Sequence, residues 1–378
     1  MIRREVDSMQ RITSKISGKL ILSILIFGFL LIVPFTMSTF RMTLISKYMC
    51  FALVAIGIDM IWGYTGILSL GHGVFFGLGA YCMAMYLKLE ASGGGLPDFM
   101  TWSGVTSLPA LWAPFQNPVI ALALVVLVPT VVALVIGTLT FLNRIKGVYF
   151  SILSQALAAA LATLLVGMQS YFGGSNGITG FTSIFGNALS SPMTKVKLYY
   201  ATFIFLLVAF IVCNIIVKRR AGKVLVAIRD AENRTRFMGY NPAVYKVFVY
   251  CLSAILAGIA GALYVTQVGI ISPTDVNISP SIEMVIWVAI GGKGTLIGAV
   301  IGALVTNTCK SLISENFPEI WSYFLGLIFI VSVLFLPGGL ISLKDVPGKI
   351  KAKLKYRKEL KASTTENKAL DKKVEAKA

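Results

Sequence analysis

Long apolar stretches alternate with short polar ones along most of the chain. Candidate membrane-crossing helices fall at 20–40, 45–62, 67–87, 118–141, 147–168, 198–217, 247–269, 281–306 and 320–337. Each is near the roughly 20 apolar residues that a helix needs to cross a hydrocarbon core about 30 Å thick. The eighth stretch has Gly291, Gly292, Lys293 and Gly294 at its middle, where helix propensity is weak and a turn forms readily. Splitting it there gives ten crossings. The predicted fold class is all-α, a polytopic membrane helical bundle of about ten transmembrane helices with Gly-rich breaks. Small residues at four-residue spacing (Gly294, Gly298 and Gly302; Gly73 and Gly77; Ala254, Gly258 and Ala262) predict close backbone approach between helices.

Composition agrees with this pattern. Of 378 residues, 56% are hydrophobic and 13% charged, against about 25% charged in soluble domains, which excludes an ordinary water-soluble enzyme. The net charge of +18 is concentrated, with +3 in residues 1–19, +6 in 218–246 and +7 in 343–378. Ten crossings put all three on one side, the charge asymmetry of a multi-pass protein with cytoplasmic N- and C-termini. Nucleic-acid binding is not indicated, because the aromatic residues sit mostly in apolar segments rather than among the basic ones. The chain thus divides into a basic cytoplasmic N-terminus (1–19), a membrane domain (20–342) and a basic, disordered cytoplasmic tail (343–378). Basic residues before 20–33 could suggest a secretory signal, but no small-residue cleavage site follows, so this stretch reads as an uncleaved first span. The five cysteines lie scattered in apolar sequence without CxxC spacing, so no metal site or disulfide framework is predicted.

The most informative polar stretch is the loop 218–246. A helix is predicted over 221–238, with Asp230–Arg234 and Glu232–Arg236 as i,i+4 pairs. Gly239 supplies its stop and Pro242 prevents its resumption. Positive-inside anchoring explains such a helix, and so does a surface that fits a groove of a partner protein.

The run GKVLVAIRDAENRTRFMGYNP (222–242) resembles the coupling-helix loop of permeases in the branched-chain amino acid class of ABC importers. WGYTGILSLGHGVFFGLGAY (62–81), IEMVIWVAIGGKGTLIGAVIGAL (282–304) and LFLPGGLISL (334–343) extend the resemblance across residues 45–343. Within the class, LPDFM (96–100), FMGYNPAVYKVFVY (237–250), YVTQVGIISP (264–273) and FPEIW (317–321) look closest to the urea-type permeases. Residues 101–116 fit less well, and Gly338 stands where the pattern LPRGL has Arg. The resemblance implies an inner-membrane permease subunit working with cytoplasmic ABC ATPase subunits, a second homologous permease and a periplasmic substrate-binding protein. It implies urea as solute, with a branched-chain amino acid as the alternative. Ala227, Arg229, Asp230, Glu232 and Gly239 are then the expected ATPase-coupling residues.

No phosphate-binding loop of the kind that holds ATP occurs in the chain, so the motor is expected on another polypeptide. No catalytic residues or cofactors are predicted: His72 is the only histidine, and no HExxH or GxSxG motif is present. A small polar solute needs hydrogen-bonding groups along its route. Asp59, Tyr64, Thr65, Ser69, Gln155 and Asn176 are the pathway candidates, each with a competing structural role in capping, turns or buried hydrogen bonds. His72 reads as a structural histidine and Glu283 as an interfacial carboxylate. A stand-alone channel or ion-coupled carrier is the alternative from another class. It is disfavoured by the want of paired carboxylates, or of intramembrane basic residues beyond Lys293.

Overall fold

The structure, a computed structural model, describes residues 20–317 other than 146, together with residues 323, 326, 327, 330, 339 and 340. The expected N-terminal segment 1–19, the tail 343–378, Gly338 and most of the candidate span 320–337 lie outside the described residues. Through residue 316 the described residues form these α-helices in order: α1 (Leu20–Thr36), α2 (Thr39–Thr65), α3 (Gly73–Ala91), α4 (Asp98–Trp102), α5 (Pro118–Leu142), α6 (Val148–Gly167), α7 (Gln169–Phe172), α8 (Pro192–Lys218), α9 (Arg220–Phe237), α10 (Pro242–Val268), α11 (Pro273–Val276), α12 (Ile278–Gly291) and α13 (Leu296–Asn316). Among the described residues, α2, α3, α5, α6, α8, α10 and α13 are long and apolar enough to cross a membrane, while α1 and α12 are shorter. The fold is an all-α polytopic membrane bundle.

Burial sorts the helices into two rings. In α2 and α3, respectively 78% and 83% of the most apolar window is buried, whereas in α5 the share is 22% although its hydropathy is the highest of the seven. Val119, Leu122, Leu127, Val131 and Leu139 of α5 are exposed, an apolar face that only lipid or another apolar surface can cover. The centre is α2, α3 and α10. Glycine brings α3 and α10 into backbone contact: a Cβ on Gly261 would overlap the Phe76 carbonyl, and one on Gly79 would overlap Gly258. Likewise Gly302 of α13 lies against the Trp287 carbonyl of α12, as the four-residue spacing predicts.

The two ends of the bundle differ. At one end α9 lies against α2, α8 and α10. At the other, the two long connections 92–117 and 168–191 pack on each other and on the end of α3. Trp112 donates to the Tyr171 carbonyl (3.1 Å), and Glu90 accepts from the backbone N–H of Phe185 (3.0 Å) and Gly186 (2.8 Å). Two short antiparallel ladders complete this cap, β1 (Ile178–Thr179) with β4 (Ile270–Ile271) and β2 (Ser183–Ile184) with β3 (Asn187–Ala188).

Three expectations need correction and a fourth is extended. The first predicted span breaks at residues 37–38, so that α2 begins earlier than 45. The third is not one helix from 67: residues 66–72 are non-helical because Gly66 closes α2 at φ 76°, and α3 starts only at Gly73. The loop helix is helical over Arg220–Phe237 but interrupted at Ala231 (φ −155°, ψ 74°). That break removes the Asp230–Arg234 geometry, and Asp230 instead takes Arg229 Nε at 2.9 Å, while Glu232–Arg236 survives at 3.6 Å. Finally, Pro242 does not merely block α9 from continuing. It opens α10 at a position where no backbone N–H is needed, with Asn241 capping the Ala243 N–H at 3.1 Å. The Gly-rich split of 281–306 is where it was expected, between α12 and α13.

Candidate functional site

At the α9 end, the last turns of α2 form a knot with the α12–α13 turn. Asp59 is fully buried, and its Oδ1 accepts the Gly294 N–H at 2.6 Å. Its Oδ2 has no hydrogen-bond partner among the described residues. The Tyr64 hydroxyl donates to the Gly294 carbonyl at 3.1 Å, so one residue of the turn is held from both sides by α2. Gly63 permits this approach, since a Cβ there would collide with Asp59 Oδ1 and the Gly294 backbone. Lys293 reaches over the Trp62 ring, 5.6 Å from its centroid.

Arg229 ties α9 to the knot. Its Nη1 donates to the Gly63 carbonyl at 2.7 Å while Nε holds Asp230. Beyond the Ala231 kink, Glu232 pairs with the buried Lys246 of α10 at 2.9 Å. The two halves of α9 are therefore anchored on different helices, which is a physical reason for the kink between them. Ala227 and Asp230 face outward, as do Phe237, Met238 and Gly239. Gly239 has φ +87° and open space where a Cβ would stand.

The break 66–72 is fastened by side chains from three helices. His72 is fully buried, with Nδ1 2.9 Å from Ser69 Oγ and Nε2 2.7 Å from Ser253 Oγ of α10. Ser151 and Ser154 of α6 bond to the Leu68 carbonyl (2.7 Å) and the Leu70 N–H (3.0 Å), and Ser281 of α12 accepts the Gly73 N–H at 3.0 Å. This gives His72 the structural role expected of it.

The six pathway candidates do not form one site. Asp59 and Tyr64 meet at Gly294; Thr65 bonds its own helix at Ile61 (2.6 Å), and Ser69 belongs to the histidine cluster. Gln155 is half-buried on α6, and Asn176 is exposed in the cap at the opposite end.

A polar cavity of about 310 Å³ is not among those candidates. It is lined by Lys47, Tyr48, Asp275, Glu283, Asn307 and Lys310, with Phe51, Phe76, Tyr264 and Trp287 among its apolar walls. Glu283 is not a lone interfacial carboxylate, because both of its oxygens bond Lys310 Nζ at 2.8 and 2.9 Å. Lys47 and Lys310 also correct the expectation that Lys293 is the only basic residue within the spans. Their positions inside the apolar helices α2 and α13 were the available signal.

These features define a helical integral membrane protein whose loop helix is tied to the core at one end and whose charged cavity is built among its central helices. The family model described as the permease component of branched-chain amino acid transport systems matches residues 40–333. The chain belongs to that family, and it is a transport subunit rather than an enzyme. It is 23% identical over 340 residues to the high-affinity branched-chain amino acid transport system permease LivM of Escherichia coli, covering 84% of this chain and 74% of the relative. BraD of Pseudomonas aeruginosa, a permease of the same description, is 25% identical over 309 residues, 78% of this chain and 92% of the relative. LivH of Escherichia coli is 22% identical over 314 residues, with the same two coverages. No solved structure matches the chain.

Proposed function

We propose that the chain is the inner-membrane permease subunit of an ATP-driven importer that moves branched-chain amino acids delivered by a periplasmic binding protein, working beside a second, homologous permease and two cytoplasmic ATPases. The α9 end faces the cytoplasm in this reading, together with both termini, which agrees with the basic charge of 218–246. The observation that carries the reading is the Arg229 link: an outward-facing loop helix bonded to the Gly63 carbonyl, which itself abuts the Gly294 turn. An ATPase that grips Ala227, Asp230 and the Phe237–Gly239 corner acts through Arg229 on α2 and on the α12–α13 turn, and through Glu232 on α10.

Branched-chain amino acids are favoured over urea because the curated relatives carry that description along most of their length. Urea is the second reading, favoured by the blocks 96–100, 237–250 and 264–273. ATP-driven uptake of labelled leucine and labelled urea into proteoliposomes containing the whole complex separates the two. Leucine uptake that unlabelled urea does not compete supports the first, and the reverse pattern rejects it. Solute movement by the permease alone without nucleotide would instead point to a channel.

A further inference from the structure

The cavity between α2, α10, α12 and α13 combines features that a structural ion pair alone does not require. Its four charged side chains, Lys47, Lys310, Asp275 and Glu283, sum to zero. Glu283 and Lys310 neutralise each other directly. Asp275 Oδ2 accepts the Ser272 N–H at 3.0 Å and the Ser272 hydroxyl at 2.9 Å. Lys47 has no anionic partner among the described residues. Its ammonium instead stands over two aromatic faces, 5.7 Å from the Phe51 centroid and 5.6 Å from that of Tyr264.

A cation inside an apolar helix bundle with no carboxylate at ion-pair distance among the described residues is costly and points to a function. The same wall contains a second unmet group: Trp287 is 2% exposed, and its Nε1 has no hydrogen-bond partner among the described residues. Phe51 stacks on Trp287 with centroids 4.7 Å apart and on Tyr264 at 5.6 Å, which forms a continuous aromatic surface beside the free ammonium. A cavity of about 310 Å³ is at the small end of sites that enclose a small molecule.

From this we propose that the cavity is an intramembrane binding site for a zwitterionic α-amino acid with an apolar side chain. Its carboxylate binds Lys47, its ammonium lies toward Asp275 and Glu283, and its side chain packs on the Phe51–Trp287 surface. This inference rests on the functional reading above and extends it, because it puts solute recognition within the permease itself. A zwitterion brings one charge of each sign and leaves the site neutral. An uncharged solute such as urea has no use for a free ammonium, and a fixed cation on its route would hold inorganic anions instead.

The test uses the complete complex in proteoliposomes, comparing wild type with Lys47→Met and Lys47→Arg. Lys47→Met is expected to lower ATP-driven leucine uptake about ten- to a hundredfold, the factor that loss of a charge-assisted hydrogen bond gives. Lys47→Arg, which retains the charge, is expected to recover most of it. Should Lys47→Met fail to assemble, the wild-type permease pair supplies an independent readout. Leucine, and not urea, should change Trp287 emission saturably, and Trp287→Phe should abolish the change. Wild-type leucine uptake that Lys47→Met leaves intact, or Trp287 emission indifferent to leucine, rejects the site while leaving the importer reading in place. Absence of leucine uptake by the wild-type complex rejects the importer reading itself, and the zwitterion site with it.

Discussion

Arg229→Ala is the most direct probe of the link between the loop helix and the bundle. It removes the 2.7 Å bond from Nη1 to the Gly63 carbonyl and the 2.9 Å contact of Nε with Asp230. A hydrogen bond from a charged donor contributes about 1.5–3 kcal/mol. The Arg229 side chain is 38% exposed, so water screens it and the lower end applies, about 1.5 kcal/mol or roughly a factor of ten. If motion of α9 reaches α2 through this bond, leucine moved per ATP hydrolysed falls by up to that factor. Arg229→Lys retains a charge but cannot bond Gly63 and Asp230 together, and should fall in between. The assay measures labelled leucine uptake and phosphate release on the same proteoliposomes. An unchanged ratio in Arg229→Ala complexes that assemble and hydrolyse ATP would refute the idea that coupling passes through this residue.

Three further substitutions test other parts of the architecture. Gly239→Val forces a β-branched residue to φ +87°, costing about 1–3 kcal/mol; it should insert normally but lose ATP-coupled uptake, whereas Gly239→Asn, which tolerates that backbone, should retain it. His72→Ala removes the partners of Ser69 and Ser253 and opens a cavity, lowering stability by about 2–3 kcal/mol; a thermal unfolding midpoint equal to wild type contradicts the structural role. Gly261→Leu drives a side chain into the Phe76 carbonyl, where backbone cannot yield, and should leave little folded protein in membranes; Gly28→Leu, with nothing within 4 Å of the added Cβ, should accumulate normally.

Much of the bundle was legible in the sequence because long apolar runs and glycine breaks act locally. α5, α6, α8 and α10 begin and end within a few residues of the predicted bounds, and the Gly291–Gly294 turn falls where glycine clusters. The helix-free stretch 66–72 was hidden because its residues are as apolar as a span. It is held open by serines on α6, α10 and α12, partners far away in sequence. The loop helix could be read because the loop is polar and self-contained, but its kink could not, since the cause lies in anchors on α2 and α10. The cavity was missed for the same reason. Lys47, Asp275, Glu283 and Lys310 are isolated charges in four different helices, and only the packing brings them to one wall.

The knot and the cavity sit at different depths on the same helix, which constrains how a solute could pass. Lys47 and Asp59 are twelve residues apart in α2, about 18 Å along a helix. Between them Ala52, Leu53, Val54, Ala55, Ile56 and Ile58 are at most 1% exposed, so among the described residues there is no open route along α2 in this conformation. Transfer from the cavity to the α9 end therefore requires α2 to move against its neighbours. Besides the close packing of α2 on α10 and on the α12–α13 turn, three hydrogen bonds cross this region: the Asp59–Gly294 bond, the Tyr64–Gly294 bond and the Arg229–Gly63 bond. The third is the one that a partner gripping α9 reaches directly. Its neighbours share Gly63 and Gly294, so a displacement of Arg229 bears on all three together.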